Sequence, residues 1–453
     1  MKNTEMKNVG HQSLKEHFSE LIKLAIPVSI GQLGHIMLGV VDSFMVGKLG
    51  AEPLGASALA NGLFFLIMVL GIGMSHAITA LVAIARGENK NSECGIIVRQ
   101  GLLVNLIFGI LLTILTYIAA KLVIYLNQEN LVAELSKSYL SILSLSIVPF
   151  MLFQTYRQFV EGLSDTKTPM YIAILANLVN ILANWVLIFG NLGFPALGLD
   201  GAGFATLMTR TFMGISIMVI VIRSSKYKKF DPTLKFRSIN WRVIKKIIRV
   251  GLPSGLTYSL EVSAFAIAAI IIGWLGSAPL AAHQIAINLA SISYMVVLGI
   301  SAAATIRVGN ALGAKNIVNV KRAGYSALLL GLLFMTFTGL IFILFNEFLP
   351  SLYIDDQKVI KLAASLLIIA ALFQISDGIQ AVGLGILKGI TDVKIPMVIT
   401  FFAYWILALP IGYLLGFNFK LNIIGIWLGL LLGLSVAAIM FVIRFKKKLK
   451  KII

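Results

Sequence analysis

Residues 247–276 read IIRVGLPSGLTYSLEVSAFAIAAIIIGWLG, and between Arg249 and Gly276 the one charge is Glu261. A run of about 26 residues exceeds the roughly 20 apolar residues that cross a bilayer. A carboxylate in the middle of such a span costs about 2.5–3.5 kcal/mol on insertion scales. At helical spacing Ser254, Thr257, Tyr258, Glu261, Ala264 and Ala268 share one face, with Leu256, Leu260, Ile267 and Ile271 opposite. This pattern aims Glu261 at a protein interior or cavity and the Leu/Ile face at lipid.

The rest of the chain has the same character. Of its 453 residues 58% are hydrophobic and only 13% charged, against about 25% charged in soluble domains. The formal charge of +19 would suggest nucleic acid in a soluble protein. Here Lys and Arg sit in short loops and the tail, so the charge reads as membrane orientation and contact with anionic lipid. Cys94 is the single cysteine, so no internal disulfide can form. The first 20 residues, MKNTEMKNVGHQSLKEHFSE, are polar and read as no signal peptide. No GxxxxGK[ST] sequence is present, so the chain carries no P-loop ATPase.

Twelve spanning segments are expected at 24–46, 55–82, 99–122, 138–156, 169–190, 200–222, 248–275, 280–306, 322–345, 360–386, 396–416 and 422–443. On this reading 31 Lys and Arg lie on the side of the N-terminus and 6 on the other, with Arg210 inside a span. Arg157 and Lys388 count among the loop charges. The bias places both termini in the cytoplasm. Residues 27–87 repeat at 253–313 with an offset of 226: Pro27 meets Pro253, Gly47 meets Gly273, Gly73 meets Gly299 and Gly87 meets Gly313. EGLSDTKTPM (161–170) repeats as KGITDVKIPM (388–397) at 227. The expected fold is therefore an all-α polytopic membrane protein of twelve transmembrane helices in two pseudo-symmetric six-helix bundles. The expected boundaries are a cytoplasmic segment 1–23, bundles 24–222 and 248–443, a basic linker 223–247 and a basic tail 444–453. Duplicated halves around buried acids suit a transporter.

Three carboxylates fall within spans: Asp42, Glu261 and Asp377. Intramembrane acids are functional by default, because removing them would relieve an insertion cost. The repeat does not duplicate them: Glu261 aligns with His35, Asp42 with Ala268 and Asp377 with Phe150. Asn177, Asn180 and Asn184 follow in the fifth span, the last two on one face. Their amides suit either a site beside a carboxylate or helix–helix bonding. His35, His76 and His283, with Gln284 and Asn288, form no spaced metal motif and favour interhelical hydrogen bonds. Arg210 either snorkels or pairs with an acid. Pro149 and Pro410 should kink their spans. The aromatic content suits cation–π contact with organic cations, although packing accounts for most of it.

Taken together, VDSFMVGKLG (41–50), LTYSLEVSAFA around Glu261, FQISDGIQAVGLGILKG around Asp377 and EGLSDTKTPM resemble the multidrug and toxic compound extrusion (MATE) transporters, NorM-type branch. The resemblance implies efflux of cationic or amphipathic organic compounds in exchange for Na⁺ or H⁺, in a bacterial inner membrane, by a monomer that is not an enzyme and needs no other cofactor. It assigns the coupling cation to Glu261 and Asp377, with Na⁺ there as the one metal admitted. It assigns a first-half proton or substrate site to Asp42, Asn180 and Asn184. His35, Asn177, Tyr258, Gln284, Asn288 and Phe373 are secondary candidates. Phe373 is a departure, since some members carry a tyrosine there, one turn before the acid. The alternative is a lipid-linked oligosaccharide flippase, which would favour a cationic cavity; here Arg210 is the intramembrane cation expected.

Overall fold

Without water in the bilayer core, backbone polar groups must bond within their own segment, so long apolar runs become helices. The computed structural model describes residues 13–126, 129–233 and 239–452. Lys2 and Lys7 of the N-terminal segment and Lys235 and Arg237 of the linker lie outside the described residues. The helices are α1 (Leu14–Gly47), α2 (Ala51–Gly87), α3 (Asn91–Leu122), α4 (Asn130–Leu145), α5 (Ile147–Gly162), α6 (Lys167–Phe189), α7 (Gly198–Arg223), α8 (Trp241–Gly273), α9 (Ser277–Gly313) and α10 (Ile317–Leu344). They continue as α11 (Phe348–Ser351), α12 (Gln357–Gly389), α13 (Lys394–Phe401), α14 (Leu409–Tyr413) and α15 (Asn422–Ile452). Among the described residues 11 helical stretches are long and apolar enough to cross a membrane, and α4 with α5 makes a twelfth if the bent pair is one span.

Both prolines expected to kink their spans sit at a departure from regular α-helix. α4 and α5 meet at 41°. Pro149, in the first turn of α5, has no N–H to offer the Leu145 carbonyl, and α4 stops at that residue. Pro410 likewise cannot donate back to Ile406. The preceding stretch Phe402–Ala408 widens into a π-helix, and a second follows α14 at Leu414–Asn418.

The chain forms two compact units: residues 30–86 with 90–259, and the start of the chain through Ser29 with 87–89 and 260–453. α1 and α8 are continuous helices that contribute to both. In the first unit Gly73 of α2 lies against the backbone of Gly255 in α8, where any Cβ would collide. In the second, Gly299 of α9 lies against Ala25 and Ser29 of α1. Gly73 and Gly299 are repeat equivalents, as are Ser29 and Gly255, so one close helix crossing is built twice.

In α8 Ser254, Thr257, Glu261, Ala264 and Ala268 are buried, and Leu256 and Ile270 are exposed. Ile271 is buried rather than facing outward; it lies seven residues after Ala264, two turns on and back on the inner face. α12 is the central helix of the second unit, packed by α9, α10 and α15.

The repeated loop block makes the same clasp in each unit. Asp165 accepts hydrogen bonds from Thr168, Lys226 and Tyr227 just after α7. Asp392 accepts from Arg444 Nε at 2.7 Å and Nη2 at 3.2 Å in α15, with Lys448 at 3.5 Å. Burial would raise the Asp165 carboxyl, but its donors outweigh burial and hold it below the ordinary carboxylate value.

Candidate functional site

Asp42 sits in the last two turns of α1 and is 8% exposed. Asn180 and Asn184, one turn apart on α6, both donate to its Oδ1, at 3.1 and 2.6 Å. Thr206 of α7 donates to Oδ2 at 3.1 Å. The sequence-named trio thus meets around one carboxylate, and Thr206 is an addition that a lone hydroxyl in an apolar run did not announce. Asn177 does not join them: it donates to the Gly34 and Ala173 carbonyls, a helix–helix bond. Arg210, one turn after Thr206, donates to Ser146 Oγ at 2.7 Å and lies over the rings of Phe64 and Phe150 at 4.6 and 5.2 Å. The two rings and the hydroxyl hold the guanidinium by cation–π and hydrogen-bond contact.

The same unit holds an ion pair that charge counting misplaced. Arg157 and Glu161 are not loop residues; they lie in the last turns of α5, buried, with Arg157 Nε donating to Glu161 Oε1 at 2.7 Å. Arg157 Nη1 is 3.0 Å from His35 Nε2. Glu161 is therefore a fourth buried acid of the helices among the described residues. His35 also meets Phe150 edge-on at 6.0 Å. His76 Nδ1 lies 3.1 Å from Gln158 Oε1, and its ring packs on Tyr258 at 5.6 Å.

The second unit brings Glu261 of α8 to α12. Gln380 donates to Glu261 Oε2 at 3.4 Å, and the Tyr294 hydroxyl of α9 to Oε1 at 3.5 Å. Both bonds are long. Asp377, 5% exposed, lies within electrostatic reach of Glu261, and the Tyr404 hydroxyl within reach of both. Among the described residues, no hydrogen bond reaches the Tyr404 hydroxyl, Gln380 Oε1 or Gln374 Oε1. Tyr404 lies in the π-helical stretch and packs on Phe265, which also meets Phe373. So Phe373 withholds an oxygen, and Tyr404 of another helix brings one to the same aromatic cluster. Carboxylates, amide oxygens and phenols are hard donors, the set that suits a proton or a hard cation. His283 is buried against Trp427, and Gln284 and Asn288 form an exposed pair, so none of the three is placed at the acids by a contact. Lys388, counted from sequence as a loop charge, is instead buried in the last turn of α12 at 5% exposure.

The family model described as MatE matches residues 27–186 and 253–414, two blocks that begin at the 226-residue offset of the repeat. A probable multidrug resistance protein NorM of Mesorhizobium japonicum is 35% identical over 441 residues, covering 96% of this chain and 94% of its own. The multidrug resistance protein NorM of Photobacterium profundum is 35% identical over 434 residues, covering 94% of each. The crystal structure of the eukaryotic MATE transporter AtDTX14 matches with a TM-score of 0.88 at 21% identity, covering 97% of this chain and 98% of that one. A multidrug resistance MATE family transporter of the MOP superfamily, in an outward-facing conformation, also gives 0.88, at 22% identity and 99% coverage of both. At such identities the structural likeness speaks to the fold.

Proposed function

The chain belongs to the MATE family, and on that premise we propose that it is a secondary active multidrug efflux antiporter, exporting cationic or amphipathic organic compounds in exchange for Na⁺ or H⁺. It would act as a monomer in a bacterial inner membrane, with both termini cytoplasmic and twelve transmembrane helices in two pseudo-symmetric six-helix bundles. The observation that carries the reading is the Glu261–Asp377 pair. Two buried acids within reach of each other, with orphaned amide and phenol oxygens around them, are costly when empty and are relieved by a cation. Glu261, Asp377, Gln380, Tyr294 and Tyr404 would hold the exchanged ion. Asp42, set by Asn180, Asn184 and Thr206, would serve a separate site for a proton or the organic cation.

The flippase alternative gains two buried cations, Arg157 and Lys388. Arg157 is bonded to Glu161 and Lys388 is in electrostatic reach of Glu261, so neither leaves a net cationic cavity. The deciding experiment loads the protein into vesicles and drives a fluorescent organic cation first with a Na⁺ gradient, then with a pH gradient. Transport under one of them, lost in Glu261→Gln and Asp377→Asn, is the expected result. Full transport by both variants would overturn the coupling assignment.

A further inference from the structure

The repeat pairs two positions in each half of the chain. His35 is equivalent to Glu261 at the 226 offset, and Glu161 to Lys388 at 227. In the first half a guanidinium joins the two positions: Arg157 reaches Glu161 at 2.7 Å and His35 at 3.0 Å. In the second half the equivalent of Arg157 is Leu384, and the groups at the paired positions differ in charge. The imidazole is replaced by the Glu261 carboxylate, and the Glu161 carboxylate by the Lys388 ammonium.

The helical register of α12 places Lys388 near the face that carries Asp377. Lys388 follows Asp377 by eleven residues, three turns on and about 20° from the same face. Side chains lean toward the N-terminus of their own helix, which carries the ammonium back along α12 toward Asp377. Gln380, between them in sequence, already touches Glu261. Lys388 is 5% exposed, and a charge so buried is costly unless an opposite charge lies nearby. The Lys388 ammonium and the Glu261 carboxylate are within electrostatic reach of one another. The other titratable groups around Glu261 are Asp377, Tyr294 and Tyr404, acids and phenols that supply no positive charge.

We propose that Lys388 is a positioning residue for the Glu261–Asp377 site, a resident counter-cation that compensates the acids when no exchanged cation is bound. Its charge opposes the arriving cation, keeps that cation's affinity low enough for release, and lets the emptied carrier keep its charge balance. This rests on the reading of Glu261 and Asp377 as the exchange site.

The test is the Lys388→Met variant in vesicles, with the Lys388→Arg variant as the charge-conserving control. The concentration of Na⁺ or H⁺ that gives half-maximal efflux should fall about tenfold in Lys388→Met, with slower turnover, as expected for loss of a coupling of ordinary size. Lys388→Arg should stay within about twofold of the parent protein, a change below that coupling range. A Lys388→Met protein with unaltered half-saturation would overturn the proposal. The pairing is also testable without transport, by thermal midpoints of the purified protein in a double-mutant cycle with Glu261→Gln. Removing both charges should recover most of the midpoint and membrane level lost with Lys388→Met alone. If the double variant falls as far as the sum of the singles, the pair does not exist. Failure of gradient-driven efflux in the parent protein would strike the exchange reading and leave the cycle to decide the pairing.

Discussion

The two acid sites differ in how their oxygens are occupied. Asp42 receives three short side-chain donors from two helices, at 2.6 to 3.1 Å. Glu261 receives two long ones, at 3.4 and 3.5 Å, and orphaned oxygens lie around it and Asp377. A carboxylate whose lone pairs are filled by fixed amides is an oriented acceptor, and a ligand must displace a donor to reach it. A carboxylate pair left with weak partners has its coordination unfilled, and a cation completes it at little reorganisation cost. On the proposed reading, one site is built to be held and the other to be emptied and refilled.

The largest expected effect would break that comparison outright. Glu261→Gln or Asp377→Asn should reduce gradient-driven efflux by about a hundredfold or more, near the upper end of coupling energies. Asn184→Ala, which removes the shortest bond to Asp42, should weaken organic-cation binding by about tenfold, the worth of one charge-assisted hydrogen bond. Asn177→Ala should stay within about twofold, since its partners are backbone carbonyls and a neutral bond is worth little net. Dye binding by the purified variants measures the contrast. Equal losses at Asn177 and Asn184 would dissolve the distinction between a held carboxylate and ordinary helix packing.

Much of this arrangement was legible because polar residues stand out in apolar runs. Asp42, Asn180, Asn184, Glu261 and Asp377 are conspicuous for the insertion cost they carry, and the 3.6-residue period aims them inward. What escaped lies where that contrast fails. Arg157, Glu161 and Lys388 sit in the last turns of their helices, next to polar loops, where sequence cannot separate a buried terminal turn from a solvated one. Tyr404 reads as another packing aromatic until the π-helical widening ahead of Pro410 shows that its helix is irregular there. Ile271 was misplaced by treating it as opposite to Ala264, although seven residues return a helix to nearly the same face.

The next effect sharpens the comparison at its periphery. Glu161→Gln leaves Arg157 buried with His35 as its remaining side-chain hydrogen-bond contact among the described residues, and breaking a buried pair from one side costs about 3–5 kcal/mol. Thermal unfolding in detergent should show a lower midpoint. The paired change Arg157→Met with Glu161→Met should recover much of the loss, since an apolar replacement of both partners leaves no orphaned charge. No recovery would mean that the pair is held by contacts beyond its own charges.

The smallest effect concerns the two clasps, where the halves agree most closely. Asp165 and Asp392 are repeat equivalents, both 8% exposed, each tied to basic residues in or just after its half's last helix. Lys226 is 59% exposed and Arg444 27%, so solvent screens the first clasp more. Asp165→Asn should therefore cost about 1 kcal/mol and Asp392→Asn somewhat more, about 2 kcal/mol. The Asp165 clasp also carries a pH signature. Its carboxyl is held below the ordinary value by its donors once burial is offset. Such a group contributes stability that is fully present above its unfolded value near pH 4 and is lost as pH falls through the lower folded value. Asp165→Asn should then lower the thermal midpoint at neutral pH and narrow the difference from the parent protein as the solution is acidified below about pH 4. A difference that stays constant through that window would show that Asp165 stabilises by hydrogen-bond shape alone, with its charge contributing nothing.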